Sequence, residues 1–201
     1  EGSVGLITYM RTDSLRISEE ALAAAGDVIK SRYGAAYYPG APRRYKPKSS
    51  AQDAHEAIRP SNVALYPELV EHDLTKDQFR LYKLIWSRFI ASQMENAVYD
   101  VTAIEAACGS HVFRATHQSL RFAGFTAIYE EGRDDEQEEA LSALPDLAQG
   151  EALSLKKTDP QQHFTQPPAR YTEATLVRAM EEKGVGRPST YATIVSTIQD
   201  R

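Results

Sequence analysis

The sequence has almost no cysteine and no long apolar run. A single cysteine, Cys108, among 201 residues excludes an internal disulfide and a thiolate metal cluster, which is typical of a reducing compartment. No stretch of about 18 apolar residues is present, and no charged region followed by an apolar stretch opens the sequence. We therefore expect a globular cytoplasmic protein with neither a membrane span nor a secretory signal.

The sequence also lacks the positive net charge that is typical of DNA-binding domains. The net charge is −5, but residues 130–139 alone hold seven acidic residues and one arginine, which is typical of a solvated loop. Residues 43–48 (RRYKPK) instead place four cations around a tyrosine. This composition suits a phosphate-contacting surface or an ordinary solvated loop, so a nucleic-acid partner stays open.

Helical periodicity dominates the first 95 residues. Ser18 is a candidate N-cap for a helix that ends at Gly34, and Thr75 with Gln78 forms a capping-box pattern for a helix that continues to Met94. The second helix repeats apolar side chains at helical spacing, which predicts that they lie in the core: Phe79, Tyr82, Ile85, Trp86, Phe89 and Ile90.

After residue 96 the apolar period changes to two. Residues 98–106 and 112–116 predict a hairpin around a turn at Gly109, and further strands are predicted over residues 124–129 and 152–157. A proline-rich connector then leads to two helices across a glycine turn. The sequence therefore predicts an α+β fold of several domains: a helical domain (1–95), a β-rich domain (96–163) and the start of another helical domain (164–201).

Tyr9 is the first candidate for chemistry. A phenol with an ordinary pKa of about 10 is a weak nucleophile, so a reactive tyrosine needs a cation that favours the phenolate or holds the electrophile. Arg11 is permanently charged and can donate two hydrogen bonds to one phosphate. Taken locally, a half-buried aromatic beside a surface charge explains the same pattern.

Two further segments present polar side chains. His55 and Arg59 lie four positions apart, so they share one face if the segment is helical and can bind a phosphate; a surface turn is the simpler alternative. Arg187, Ser189 and Thr190 open a helix beside free backbone N–H groups, which predicts either an anion site or a well-capped helix.

Four strings in this order resemble the successive signatures of bacterial DNA topoisomerase I, the type IA class. They are LITYMRTDS (6–14), HEAIRP (55–60), FTQPPARY (164–171) and GVGRPSTYA (184–192). The resemblance spans nearly the whole sequence and implies a central fragment of a longer enzyme.

The resemblance implies roles for particular residues. Tyr9 matches the nucleophile that attacks a DNA phosphodiester, forms a 5′-phosphotyrosine and releases a 3′-hydroxyl, so that religation needs no nucleotide triphosphate. Arg11 matches a residue that positions the scissile phosphate, and His55 matches one that assists catalysis. The DNA-binding residues implied by the same comparison are Thr8, Arg59, Arg187, Ser189, Thr190 and Tyr191. For Arg59, support of the fold is the alternative role.

The resemblance also implies a cofactor and partners. Mg²⁺ would be held by an acidic cluster in a preceding domain, and no Asp-x-Asp string occurs in this sequence. The implied partners are single-stranded and negatively supercoiled DNA, bound by a monomeric, cytoplasmic and nucleoid-associated enzyme. The β-rich domain would form the arch of a ring through which a DNA strand passes, and we do not expect the fragment alone to relax supercoils.

Two other classes of protein are alternatives. A rolling-circle nuclease or relaxase also uses a tyrosine, but it needs clustered histidines for its metal, and the five histidines of this sequence are scattered. A non-catalytic single-stranded DNA-binding module would use Tyr9 to stack on a base.

Overall fold

The computed structural model describes residues 5–9, 14–45, 56–129 and 144–200. Five α-helices and one two-stranded antiparallel sheet lie within these ranges, which confirms the α+β prediction. No helix in the described part is long and apolar enough to cross a bilayer. The chain divides into two compact units, Glu1–Glu151 and Ala152–Arg201.

The two long helices of the first unit begin at the predicted caps. Helix α1 (Glu19–Arg32) follows Ser18, whose hydroxyl accepts a hydrogen bond from the Ala21 N–H at 3.4 Å. A short helix α2 (Pro67–Val70) precedes α3 (Lys76–Ser92), where the Thr75 hydroxyl and the Gln78 side chain satisfy each other's backbone N–H groups. These caps bind donors that the helices leave unpaired, which fixes where both helices begin.

The core of this unit lies between α1 and α3. Ile29 and Ile90 are fully buried, and the Trp86 indole N–H donates to the Val63 carbonyl at 3.0 Å. The Tyr82 hydroxyl donates to the Leu65 carbonyl at 2.5 Å, and burial raises the pKa of Tyr82. Of the predicted core residues of α3, four are buried and two are half-buried; the half-buried pair is Phe79 and Ile85.

A long hairpin follows α3. Strands β1 (Val98–Cys108) and β2 (His111–Phe122) pair around the predicted turn, and each extends further than the sequence predicts. Ion pairs across the strands join Arg121 to Asp100 at 3.5 Å and Arg114 to Glu105 at 3.9 Å. Both strands are mostly exposed, so the hairpin adds little to the core of the unit.

The two further strands predicted from the sequence are wrong. Gly124–Ala127 is a 3₁₀ helix, because Phe125 packs against the helical core and its N–H donates to the Glu95 carbonyl at 2.9 Å. Residues 152–157 have no regular secondary structure. The described residues of the second unit contain no other strand with which that segment could pair.

The second unit contains a helical hairpin. Helix α4 (Glu173–Glu182) has Thr172 as its N-cap, and α5 (Pro188–Gln199) has Arg187 as its N-cap. Gly184 and Gly186 turn the chain between them with φ values of +68° and +77°. Met180 and Val195 are buried, and the Gln199 side chain donates to Glu173 at 2.7 Å, so the two helices lie side by side.

We expect Gly124→Ala to destabilise the protein more than Gly109→Ala. Both glycines have positive φ, at +51° and +61°, which costs an alanine about 1–2 kcal/mol. At Gly124 the added Cβ also meets the Asn96 carbonyl and lies 2.6 Å from the Ala97 backbone nitrogen, whereas Gly109 faces open space. This clash should add about 1–3 kcal/mol, measured by urea unfolding. Equal losses for the two variants would contradict the packing described here.

Candidate active site

A short antiparallel pairing holds the segment that carries Tyr9. The Thr8 N–H donates to the Arg59 carbonyl at 2.9 Å, the Ser61 N–H donates to the Leu6 carbonyl at 2.9 Å, and Ile7 forms a β-bridge with Pro60. We call this pairing of residues 6–8 with residues 59–61 the tyrosine bridge. It brings the first two of the four sequence strings into direct contact.

Thr8 joins the same two segments through its side chain. Its hydroxyl donates to the Ala57 carbonyl at 2.8 Å and accepts from the Arg59 N–H at 3.0 Å. The single hydroxyl hydrogen is therefore used within the protein. The structure places Thr8, predicted from the resemblance to bind DNA, in the connection between the two segments.

The Arg59 guanidinium also faces the protein. Its side chain is only 12% exposed and lies 2.7 Å from the Glu56 carboxylate. It donates to the Pro60 carbonyl at 3.0 Å and to the hydroxyl of Ser18, the N-cap of α1, at 3.4 Å. Residues 56–60 are not helical, so the shared helical face considered for His55 and Arg59 is not present in the described residues.

Tyr9 follows the tyrosine bridge directly. Tyr9 is 69% exposed. Arg11 and His55, the other two predicted catalytic residues, lie outside the described residues. The structure thus positions the backbone that leads into Tyr9, and the roles of all three residues stay predictions.

Part of the basic segment at residues 43–48 forms ion pairs within the protein. Arg43 lies 3.1 Å from the Glu95 carboxylate, and Arg44 donates two hydrogen bonds to Glu19 at 2.5 and 2.8 Å. These bonds from Arg44 hold the pKa of Glu19 below its ordinary value. Residues 46–48 lie outside the described part. Both described arginines of the segment are therefore ion-paired within the protein, Arg44 in an exposed pair.

The predicted DNA-binding residues of the second unit lie together at the start of α5. The Thr190 hydroxyl accepts from the Arg187 N–H at 2.9 Å and donates to the Arg187 carbonyl at 3.0 Å. Arg187 and Ser189 are exposed, and Tyr191 is half-buried. Thr190 thus stabilises the helix start, while Arg187 and Ser189 lie where a helix N-terminus attracts anions.

The described residues provide no metal site. No group of three or more histidine, cysteine, aspartate or glutamate side chains lies close enough there to hold an ion. The donor set of the described residues therefore does not suit Mg²⁺.

The comparisons with known proteins identify the family. The sequence profile of the DNA topoisomerase family matches residues 2–201. The chain belongs to the DNA topoisomerase family. The structure of full-length topoisomerase I from Thermotoga maritima matches with a TM-score of 0.76 and 34% sequence identity. This match covers 98% of the topoisomerase chain described here and 31% of the Thermotoga maritima chain, so the chain spans about a third of that protein. The resemblance drawn from the four strings is confirmed.

Sequence reasoning missed two partners in this topoisomerase chain. Glu56 and Ser18 both contact the Arg59 side chain, but neither was predicted to take part in the site. The spacing of three between Glu56 and Arg59 was a usable signal for an ion pair. The contact with Ser18 has no such signal, since it joins residues 41 positions apart.

We expect Thr190→Val to loosen the start of α5. The substitution keeps a β-branched side chain but removes the hydroxyl that accepts from the Arg187 N–H, a loss of about 1 kcal/mol for a capping interaction. Hydrogen exchange of the amides in the first turn should accelerate about fivefold. Thr193→Val, in the middle of the same helix, is the matched control, and equal exchange in both variants would contradict the capping role.

Proposed function

We propose that this chain supplies the nucleophile and part of the DNA-binding surface of a type IA topoisomerase. The observation that supports this proposal is the exposed Tyr9 at the end of the tyrosine bridge, in a chain of the topoisomerase family. The substrate would be one strand of negatively supercoiled DNA, bound in single-stranded form by a monomeric enzyme in the cytoplasm, at the nucleoid.

The proposed reaction is a transesterification. The Tyr9 oxygen forms a bond to phosphorus while the bond from phosphorus to the 3′-oxygen breaks; the phenol loses its proton and the departing 3′-oxygen gains one. The 5′-phosphate then remains on Tyr9. Because one phosphodiester replaces another, religation is the reverse step and requires no ATP. Passage of a strand through the break before religation relaxes the DNA.

Other residues of the chain would assist this step. Arg11 would neutralise charge that develops on the phosphate oxygens in the transition state, and His55 would donate a hydrogen bond or relay a proton. Arg187, Ser189 and Tyr191 would contact the single strand. Residues of the longer protein outside this chain would hold Mg²⁺.

Base stacking by Tyr9 in a non-catalytic module is the second candidate function. An exposed tyrosine can stack on a base as well as attack a phosphate. Removal of the phenolic oxygen separates the two functions, since stacking requires only the ring.

Tyr9→Phe in the full-length protein should abolish the covalent adduct with 3′-labelled single-stranded DNA while DNA affinity changes less than about twofold. The adduct is measured as label that stays with the protein after denaturation. Tyr99→Phe, on the exposed face of β1, is the control and should form the adduct normally. An adduct in Tyr9→Phe would contradict the assignment, and intact binding without any adduct in the unmodified protein would favour the stacking module.

The isolated 201-residue chain should not relax negatively supercoiled plasmid in the presence of Mg²⁺. The reason is that the resemblance implies Mg²⁺ ligands in a preceding domain, and the chain spans about a third of the Thermotoga maritima relative. Agarose gel electrophoresis of plasmid topoisomers, with the full-length protein as positive control, measures this. A ladder of relaxed topoisomers from the isolated chain would contradict it.

A further inference from the structure

We propose that Thr8, Glu56 and Arg59 are positioning residues that fix the backbone of Tyr9, and that none of the three binds DNA. This inference rests on the proposed function, since it concerns how Tyr9 reaches the phosphate. It assigns a role to Glu56, and it replaces the DNA contacts implied for Thr8 and Arg59.

Thr8 is held to residues 57–59 by hydrogen bonds from its backbone and its side chain. Its backbone N–H and its hydroxyl both donate to residues 57–59, and its hydroxyl also accepts from the Arg59 N–H. Three hydrogen bonds thus converge on the residue that precedes Tyr9. Such a residue has little freedom to rotate, so the direction in which the chain enters Tyr9 is set by residues 57–59.

The Arg59 side chain is bound within the protein. Its charge is balanced by Glu56 at 2.7 Å, and its terminal nitrogens donate to Glu56, Pro60 and Ser18. A phosphate-binding arginine has its donors turned to solvent, whereas this side chain is 12% exposed. The contact with Ser18 connects the tyrosine bridge to the capped end of α1, and through α1 to the core.

A displaced Tyr9 would slow the proposed reaction. In-line attack requires the reacting oxygen within about 3–3.5 Å of phosphorus, and a misplacement of about 1 Å can cost about a hundredfold in rate. Removal of these contacts should therefore slow adduct formation and leave DNA affinity unchanged, whereas loss of a phosphate contact would weaken binding.

The first test uses Thr8→Val in the full-length protein. This variant keeps the shape of threonine but removes the hydroxyl, and Thr8→Ser restores it. We expect Thr8→Val to form the adduct about 10- to 100-fold more slowly at saturating single-stranded DNA, with an unchanged Kd, and Thr8→Ser to recover most of the rate. Thr126→Val is the matched control, because the half-buried Thr126 hydroxyl also donates to a backbone carbonyl at 2.8 Å, away from Tyr9.

The second test measures the salt dependence of DNA affinity for Glu56→Gln and Arg59→Gln. Each lost contact to a single-stranded phosphate lowers the slope of log K against log [salt] by about 0.7. We expect both variants to keep the slope and to form the adduct more slowly. Arg121→Gln, which removes an exposed ion-paired arginine of the hairpin, is the control.

Each outcome decides the inference. A reduced salt slope in Arg59→Gln, or tighter binding by Glu56→Gln at an unchanged adduct rate, would show that Arg59 binds phosphate and would overturn the inference. An unchanged rate in Thr8→Val would overturn it as well, with the proposed function intact. Glu56→Gln keeps the shape of the glutamate, so its result stands if Arg59→Gln does not fold. Absence of any adduct in the unmodified protein would instead overturn the proposed function and this inference together.

Discussion

The arrangement of the candidate site depends on one short antiparallel pairing between residues 6–8 and residues 59–61. Leu6 and Ile7 pack against the core formed by α1 and α3, so the pairing lies on a rigid support. A tyrosine on an unsupported loop would have to be ordered at every encounter with substrate. A tyrosine that follows a paired and anchored segment carries less of that entropic cost.

Arginines of the first unit also make contacts within the protein. Arg43, Arg44 and Arg59 would each be candidates for phosphate contacts if judged from composition alone, yet each lies within 3.1 Å of a carboxylate. Their positive charge is therefore partly neutralised within the protein. This leaves the exposed residues at the start of α5 and the predicted Arg11 as the better candidates for DNA contact, and it is consistent with a negative net charge in a member of the topoisomerase family.

The parts of the fold that depend on nearby residues were predictable from the sequence. Thr75 and Gln78 specify the start of α3 within four residues, and a glycine turn between alternating segments specifies the hairpin. The strand predicted over residues 124–129 is wrong because Phe125 contacts the distant helical core instead of pairing with a strand. The tyrosine bridge joins Ile7 to Pro60, and nothing in either local sequence indicates the other. For the same reason, the composition of HEAIRP (55–60) indicated a possible phosphate contact at Arg59, but it could not show that the Arg59 side chain points into the protein.

Peptide mapping of the covalent adduct would show directly whether Tyr9 is the nucleophile. The full-length protein would react with single-stranded DNA labelled at either end, and mass spectrometry of the digested adduct would locate the nucleotide on the protein. We expect a 5′-phosphate on the Tyr9 oxygen, so that only 3′-labelled DNA stays with the protein. Attachment to any other residue, or retention of the 5′-labelled part of the strand, would contradict it.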